Sequence, residues 1–123
     1  CVTENFVYIQ EDGDSYYPAA KHDSYIWQLN IASKQYKPWM TMNHKRDDAA
    51  WNAKYNTVGE MRKGSWEYGA MYDISTIIGV PNTFLLNIHP HTWQSAAFAN
   101  ADGSGLNTNT EGGQTVIIRG VQK

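Results

Sequence analysis

The chain has 123 residues, which bounds it to one ordinary domain around one core. Ten Lys and Arg stand against twelve Asp and Glu, a net charge of −2, and the basic residues are scattered apart from Lys45-Arg46 and Arg62-Lys63, so neither nucleic acid nor an anionic membrane is favoured as a partner. The single cysteine, Cys1, excludes an internal disulfide.

Residues 5–10 predict a short strand centred on Phe6-Val7-Tyr8-Ile9 and ended by Asp12-Gly13. Residues 11–23 form a polar loop containing Pro18. From Ser24 to Ile31 the chain alternates, with Tyr25, Trp27, Leu29 and Ile31 on one face and Ser24, Gln28 and Asn30 on the other; Ile26 is the exception on the polar side. Ala32-Ser33-Lys34-Gln35 predicts a tight turn, and Tyr36 to Met42 returns as a strand that Pro38 marks as an edge. Asn43 to Lys63 is polar without a sustained period: a long excursion with a helical turn near Asp48-Ala49-Ala50-Trp51, of a kind more often functional than idle. A strand resumes from Ser65 to Ile74, broken by Gly69, and a turn of helix from Ser75 to Ile78 is closed by Gly79. Thr83 to Ile88 has the strongest strand character in the chain. Residues 94–113 are small, polar and rich in Gly and Asn, hence a loop. Gln114 to Arg119 is the last strand, with Val116 and Ile118 on one face and Thr115 and Ile117 on the other.

These elements predict an all-β fold in one domain, residues 1–123, made of two antiparallel meanders at about 1–43 and 64–123. Five Trp and eight Tyr support strands, where flat rings pack well on a pleated surface. A strand-and-turn rhythm of about 50 residues suits two blades of a β-propeller. Two blades leave flat faces and edge strands unprotected, so more protein is expected beside them. Cys1 is open to two readings, a lipid-modified first residue of a mature lipoprotein or a position within a longer chain. The strand beginning at Phe6 leaves no polar spacer, which favours the second.

The chemistry concentrates after two strands. His89-Pro90-His91 follows the strand at Ile88, and histidines two apart in an extended chain project to the same side. They can serve as transition-metal ligands together with others, or as a hydrogen-bonded pair fixing the chain around Pro90. Glu11, Asp12 and Asp14 follow the first strand and supply oxygens of the type calcium takes, although Asp-Gly is also an ordinary turn pair. Glu67 lies between Trp66 and Tyr68; it either binds metal or faces water while the two rings face the core. Arg62 and Lys63 are candidates for phosphate contacts, with a solvated loop as the alternative. His22 and His44 sit in polar loops and are expected in solvent.

Four segments carry a family likeness: Thr3 to Gly13, Asp23-Ser24-Tyr25-Ile26-Trp27, Gly64 to Ala70, and Pro81 to Ile88 with His89-Pro90-His91. Together they resemble the last blades of PhoX-type alkaline phosphatases, members of a wider group of secreted bacterial β-propellers. The resemblance implies a six-bladed propeller, secreted, periplasmic or on the cell surface, with an iron and calcium cluster on its axis that binds a phosphate ester and activates an oxygen nucleophile. It implies metal-ligand roles for Glu4, which with Asn5 stands at an acidic-Asn position, for Asp12 before Gly13, and for Glu67 and His91. The family typically reads Asn-Ile-Gln-His-Pro where this chain has Asn87-Ile88-His89-Pro90-His91, a shift that separates the histidine role from its usual place. The expected function is therefore a part of a metal-dependent phosphomonoesterase. The alternative is a non-catalytic surface propeller that binds or assembles, completed by further blades or another chain.

Overall fold

The computed structural model describes residues 1–12, 22–45, 47–57, 65–101, 103, 105 and 110–123. Asp14, Arg62 and Lys63, and the turn partners Gly13 and Gly64, lie outside the described residues. The strands are β1 (Phe6–Gln10), β2 (Tyr25–Asn30), β3 (Tyr36–Thr41), β4 (Trp66–Asp73), β5 (Thr83–Pro90) and β6 (Gln114–Arg119), with short helices α1 (Ala49–Tyr55) and α2 (Ser75–Ile78) between them. They form two antiparallel three-stranded sheets, ordered β1-β2-β3 and β4-β5-β6. The fold is thus mostly β, built from two successive meanders as the strand rhythm predicts.

Local chemistry explains the boundaries. Between β2 and β3, Asn30 Oδ1 accepts from the Ser33 backbone N–H at 2.8 Å, and Lys34 takes the left-handed conformation at φ 60°. Helix α1 begins where Asp48 accepts from Trp51 N at 2.9 Å, an N-cap. Helix α2 ends at Gly79, φ 70°, where a side chain would be strained. Gly69 falls where the β4–β5 register shifts between Tyr68 and Met71, so the predicted break is a bulge within one strand.

The sheets face each other across a core of Tyr8, Ile26 and Met42 on one side and Trp66, Tyr68, Met71, Phe84 and Leu86 on the other. The tail after β6 closes one end. Val121 is fully buried, Tyr8 Oη donates to Gln122 O at 2.9 Å, and Asn5 Nδ2 donates to Lys123 O at 2.7 Å. Lys123 Nζ meets Asp73 Oδ2 at 2.5 Å, so the tail joins β1 to β4.

Two expectations need correcting, and the alternation in β2 gains a direction. Its more polar side is the inner one: Ser24, Ile26 and Gln28 are buried, while Tyr25, Trp27 and Leu29 point away from the core. Gln28 tolerates burial because its amide nitrogen bonds Tyr8 Oη at 2.8 Å. Strand β5 runs on through Pro90, pairing Glu67 with His89 and Trp66 with Pro90. The missing N–H of Pro90 does no harm there, because pairing with β6 has already ended at Ile88. His44 is buried rather than solvated, because it packs against Trp66 of β4, ring centroids 5.4 Å apart, and lies 3.6 Å from Asp23.

Candidate functional site

Polar chemistry gathers at the end of the sheets where β1 finishes, β4 starts and β5 runs out. Backbone bonds align these ends: Tyr68 N donates to Glu11 O at 3.3 Å, and Ser24 Oγ donates to Trp66 O at 2.6 Å. Glu11 then turns its carboxylate back, accepting from Tyr25 N at 2.7 Å. His22 stacks on Tyr25 with centroids 4.2 Å apart and lies 3.7 Å from the same carboxylate.

His91 is the centre of this end. Its Nδ1 lies 3.0 Å from Glu111 Oε2, and its Nε2 lies 3.5 Å from Glu67 Oε2. Burial disfavours a charged ring, but the hydrogen bond and negative charge of Glu111, followed by those of Glu67, outweigh it and hold the imidazole above its ordinary 6.5. The loop that delivers Glu111 is fastened by an isolated bridge between Gln94 and Glu111 and by Gly112 N donating to Trp93 O at 2.7 Å. Gly112 is required for that approach, since a Cβ there would lie 2.5 Å from the Trp93 ring. His89, across from Glu67, lays its ring over Gly69, where a Cβ would come within 2.4 Å of Nε2.

Behind the clamp stands an aromatic wall. Trp51 and Tyr55 of α1 lie 6.1 and 6.2 Å from Trp66, and Tyr55 meets Trp93 edge-on at 5.2 Å. Thr92 stitches it together, accepting from Trp66 Nε1 at 2.7 Å and donating to Tyr55 O at 3.0 Å. Asp23 lies 3.6 Å from His44 Nδ1. Tyr68, buried and next to that carboxylate, has its hydroxyl pushed up to about 12.

Of the four predicted site residues, Glu67 and His91 come together, and Asp12 is exposed just past β1 at the same end. Glu4 does not join them: it is exposed at the opposite end of β1, beside Asn5 and its contact with Lys123. The strand between spans roughly 17 Å at about 3.3 Å per residue. Glu111, Asp23 and His44 complete the polar end without having been predicted. Nothing local marks them, since each is brought in by contacts distant in sequence.

Both ring nitrogens of His91 face carboxylates, and no three His, Cys, Asp or Glu among the described residues converge as a metal would need. Calcium takes about six to eight oxygens. The described residues therefore do not fit an iron or calcium site by themselves. What the cluster does is hold the His91 imidazole between two carboxylates, which favours its protonated form, and pin the 91–95 turn and the 110–112 segment to β4. No helix among the described residues is long and apolar enough to cross a membrane. Comparison with protein-family models, with curated proteins and with solved structures gave no match.

Proposed function

We propose that this chain is a two-sheet wedge of a larger β-propeller and that it acts as a binding or assembly unit, stacking further sheets on its two outward faces. The outer face of the first sheet carries the proposal. Cross-strand pairing puts Val7 beside Leu29, Ile9 beside Trp27, Leu29 beside Tyr36 and Trp27 beside Pro38, all turned from the core. Ile9 is 50% and Tyr36 71% exposed, and with Trp27 and Leu29 they enclose an entirely apolar groove of about 290 Å³. The second sheet repeats the pattern: Tyr72, Leu85 and Ile117 pair in a row on its outer face, with Tyr72 64% and Ile117 58% exposed. Apolar faces this continuous mark contact surfaces.

The occupant is another sheet of the same kind. The two sheets already pack face to face through their inner sides, and a further sheet on either outer side continues that stacking. A three-stranded face measures roughly 14 by 20 Å, well short of the roughly 800 Å² per partner of a stable free complex. That suits a neighbour held in place within an array better than a freely diffusing partner.

Cysteine pairing tests the arrangement. In a Cys1→Ser background, Leu29→Cys and Ile117→Cys chains are mixed and oxidised at high concentration. The expected product is a Leu29→Cys–Ile117→Cys linked pair, from one chain's first sheet stacked on the next chain's second. If linkage is no faster than for an exposed polar control, Glu4→Cys, the faces are at ease in water and the proposal fails.

A metal-dependent phosphomonoesterase is the rival, favoured by the meeting of Glu67 and His91 with Asp12 at the same end. Its metals would need donors beyond the described residues. Turnover of a chromogenic phosphomonoester in the presence of iron and calcium, together with copurifying metal, is the outcome it requires. A metal-free, inactive protein leaves the assembly role.

A further inference from the structure

A second cavity lies on the inner side of the first sheet, beyond the edge of the core. Its volume is about 300 Å³, within the range of small-ligand pockets. Among the described residues its walls combine the Phe6 ring and Tyr36, whose ring meets Trp27 on the outer face, with the carboxamides of Gln28, Asn30, Gln35 and Gln122. Among the described residues, Lys37 is the one charged side chain lining it.

The carboxamides are committed in a way that sets what each offers. Gln28, 3% exposed, donates from Nε2 to Tyr8 Oη at 2.8 Å and to Gln122 Oε1 at 3.2 Å, which leaves its carbonyl oxygen as an acceptor at the cavity wall. Gln122 uses its oxygen on Gln28, so its NH₂ is the group left for a ligand. Asn30 uses Oδ1 on the Ser33 N–H and likewise offers its NH₂. Tyr8 Oη is itself held by donating to Gln122 O at 2.9 Å, so the buried acceptor is fixed by a satisfied network.

From this geometry we infer that the cavity binds a neutral polyhydroxylated ligand, a sugar or the end of a glycan. Such a ligand needs acceptors and donors side by side, because each hydroxyl is both, and it needs apolar ring faces for its C–H surface. A fixed acceptor, fixed donors and the flanking Phe6 ring supply these together. Near-absence of charge disfavours a nucleotide or a polyanion, which would call for several cations. The site is separate from the His91 cluster; it shares Tyr36 with the apolar outer face, but its carboxamides Gln28 and Gln122 lie on the inner side, so it is tested independently of either proposed function.

The test is titration of the whole chain with glucose, galactose, mannose and N-acetylglucosamine and with inorganic phosphate, followed by side-chain amide NMR. At least one sugar is expected to shift the amide signals of Asn30 and Gln122, with phosphate silent. Gln28→Ala should weaken binding by about tenfold, the effect of one lost neutral hydrogen bond. Because Gln28 is buried and its loss can disturb folding, the double variant Gln35→Ala with Gln122→Ala is measured alongside; it leaves the Tyr8 hydroxyl bond to the Gln122 backbone in place and should also weaken the sugar. Amide signals unmoved by every sugar, or moved by phosphate alone, would overturn the inference, as would undiminished binding in the folded double variant.

Discussion

His91 shows how a single side chain acquires a function from its neighbours. Among the described residues the charged groups facing it come from two elements, Glu67 on β4 and Glu111 on the segment before β6, with His89 on β5 two residues before it. Because the folded state holds the ring above its ordinary 6.5, folding gains from its proton. That gain is complete below 6.5, where the unfolded ring is protonated too, and it fades as pH rises through the higher folded value. His91 and Glu111 are 35% and 40% exposed, so solvent screens the pair and the contribution is about 1 kcal/mol or less. Denaturant unfolding between about pH 5 and pH 9 should therefore show stability declining on the alkaline side. Glu111→Gln should flatten that decline, and an unchanged slope in the variant would assign it elsewhere. Held between the carboxylates of Glu67 and Glu111, His91 fastens loop to strand.

The two faces of β2 separate what periodicity reveals from what it leaves open. Ile26 is fully buried, while Leu29, three residues on, faces outward. Ile26→Ala should cost about 2–5 kcal/mol, as for other large-to-small core changes, and Leu29→Ala should cost less than about 1 kcal/mol. Equal losses in thermal unfolding would mean that the faces have been assigned the wrong way round. The strands, the short helices and the break at Gly69 were legible because each rests on local chemistry: alternation, an Asp ahead of a helical turn and a Gly after another, and a Gly within a strand run. The inward face of β2 was not, since alternation gives contrast without direction, and Gln28 becomes a core residue only when Tyr8 and Gln122 meet it from remote parts of the chain. For the site, Glu67 and His91 were visible from their places at strand ends. Glu111, 20 residues past His91, was hidden in a polar loop, and the buried histidine His44 was indistinguishable from a solvated one.

At the scale of the whole molecule the C-terminal tail decides whether two meanders behave as one unit. Val121 enters the core, Gln122 and Lys123 accept from Tyr8 and Asn5 of the first sheet, and Lys123 reaches Asp73 and Ser75 of the second. The Lys123 ammonium, and then the Ser75 hydroxyl and N–H, lower Asp73 from 3.8 to about 2. A lowered carboxylate stabilises the fold above its unfolded value and loses that effect as pH falls, so the window is from 3.8 down to about 2. Lys123→Met should reduce the acid-induced loss of stability in that window and leave the neutral fold in place. Deleting residues 121–123 should do more, because it removes a buried side chain as well as the ties to both sheets. Hydrogen exchange should then accelerate together at Tyr8 in β1 and at Phe84 in β5, since those two core positions lie on opposite sheets. Faster exchange in β1–β3 alone would show the sheets to be independent layers that merely touch. Joint loosening is the expected result, because Tyr8 is both a core ring of the first sheet and the anchor of the tail.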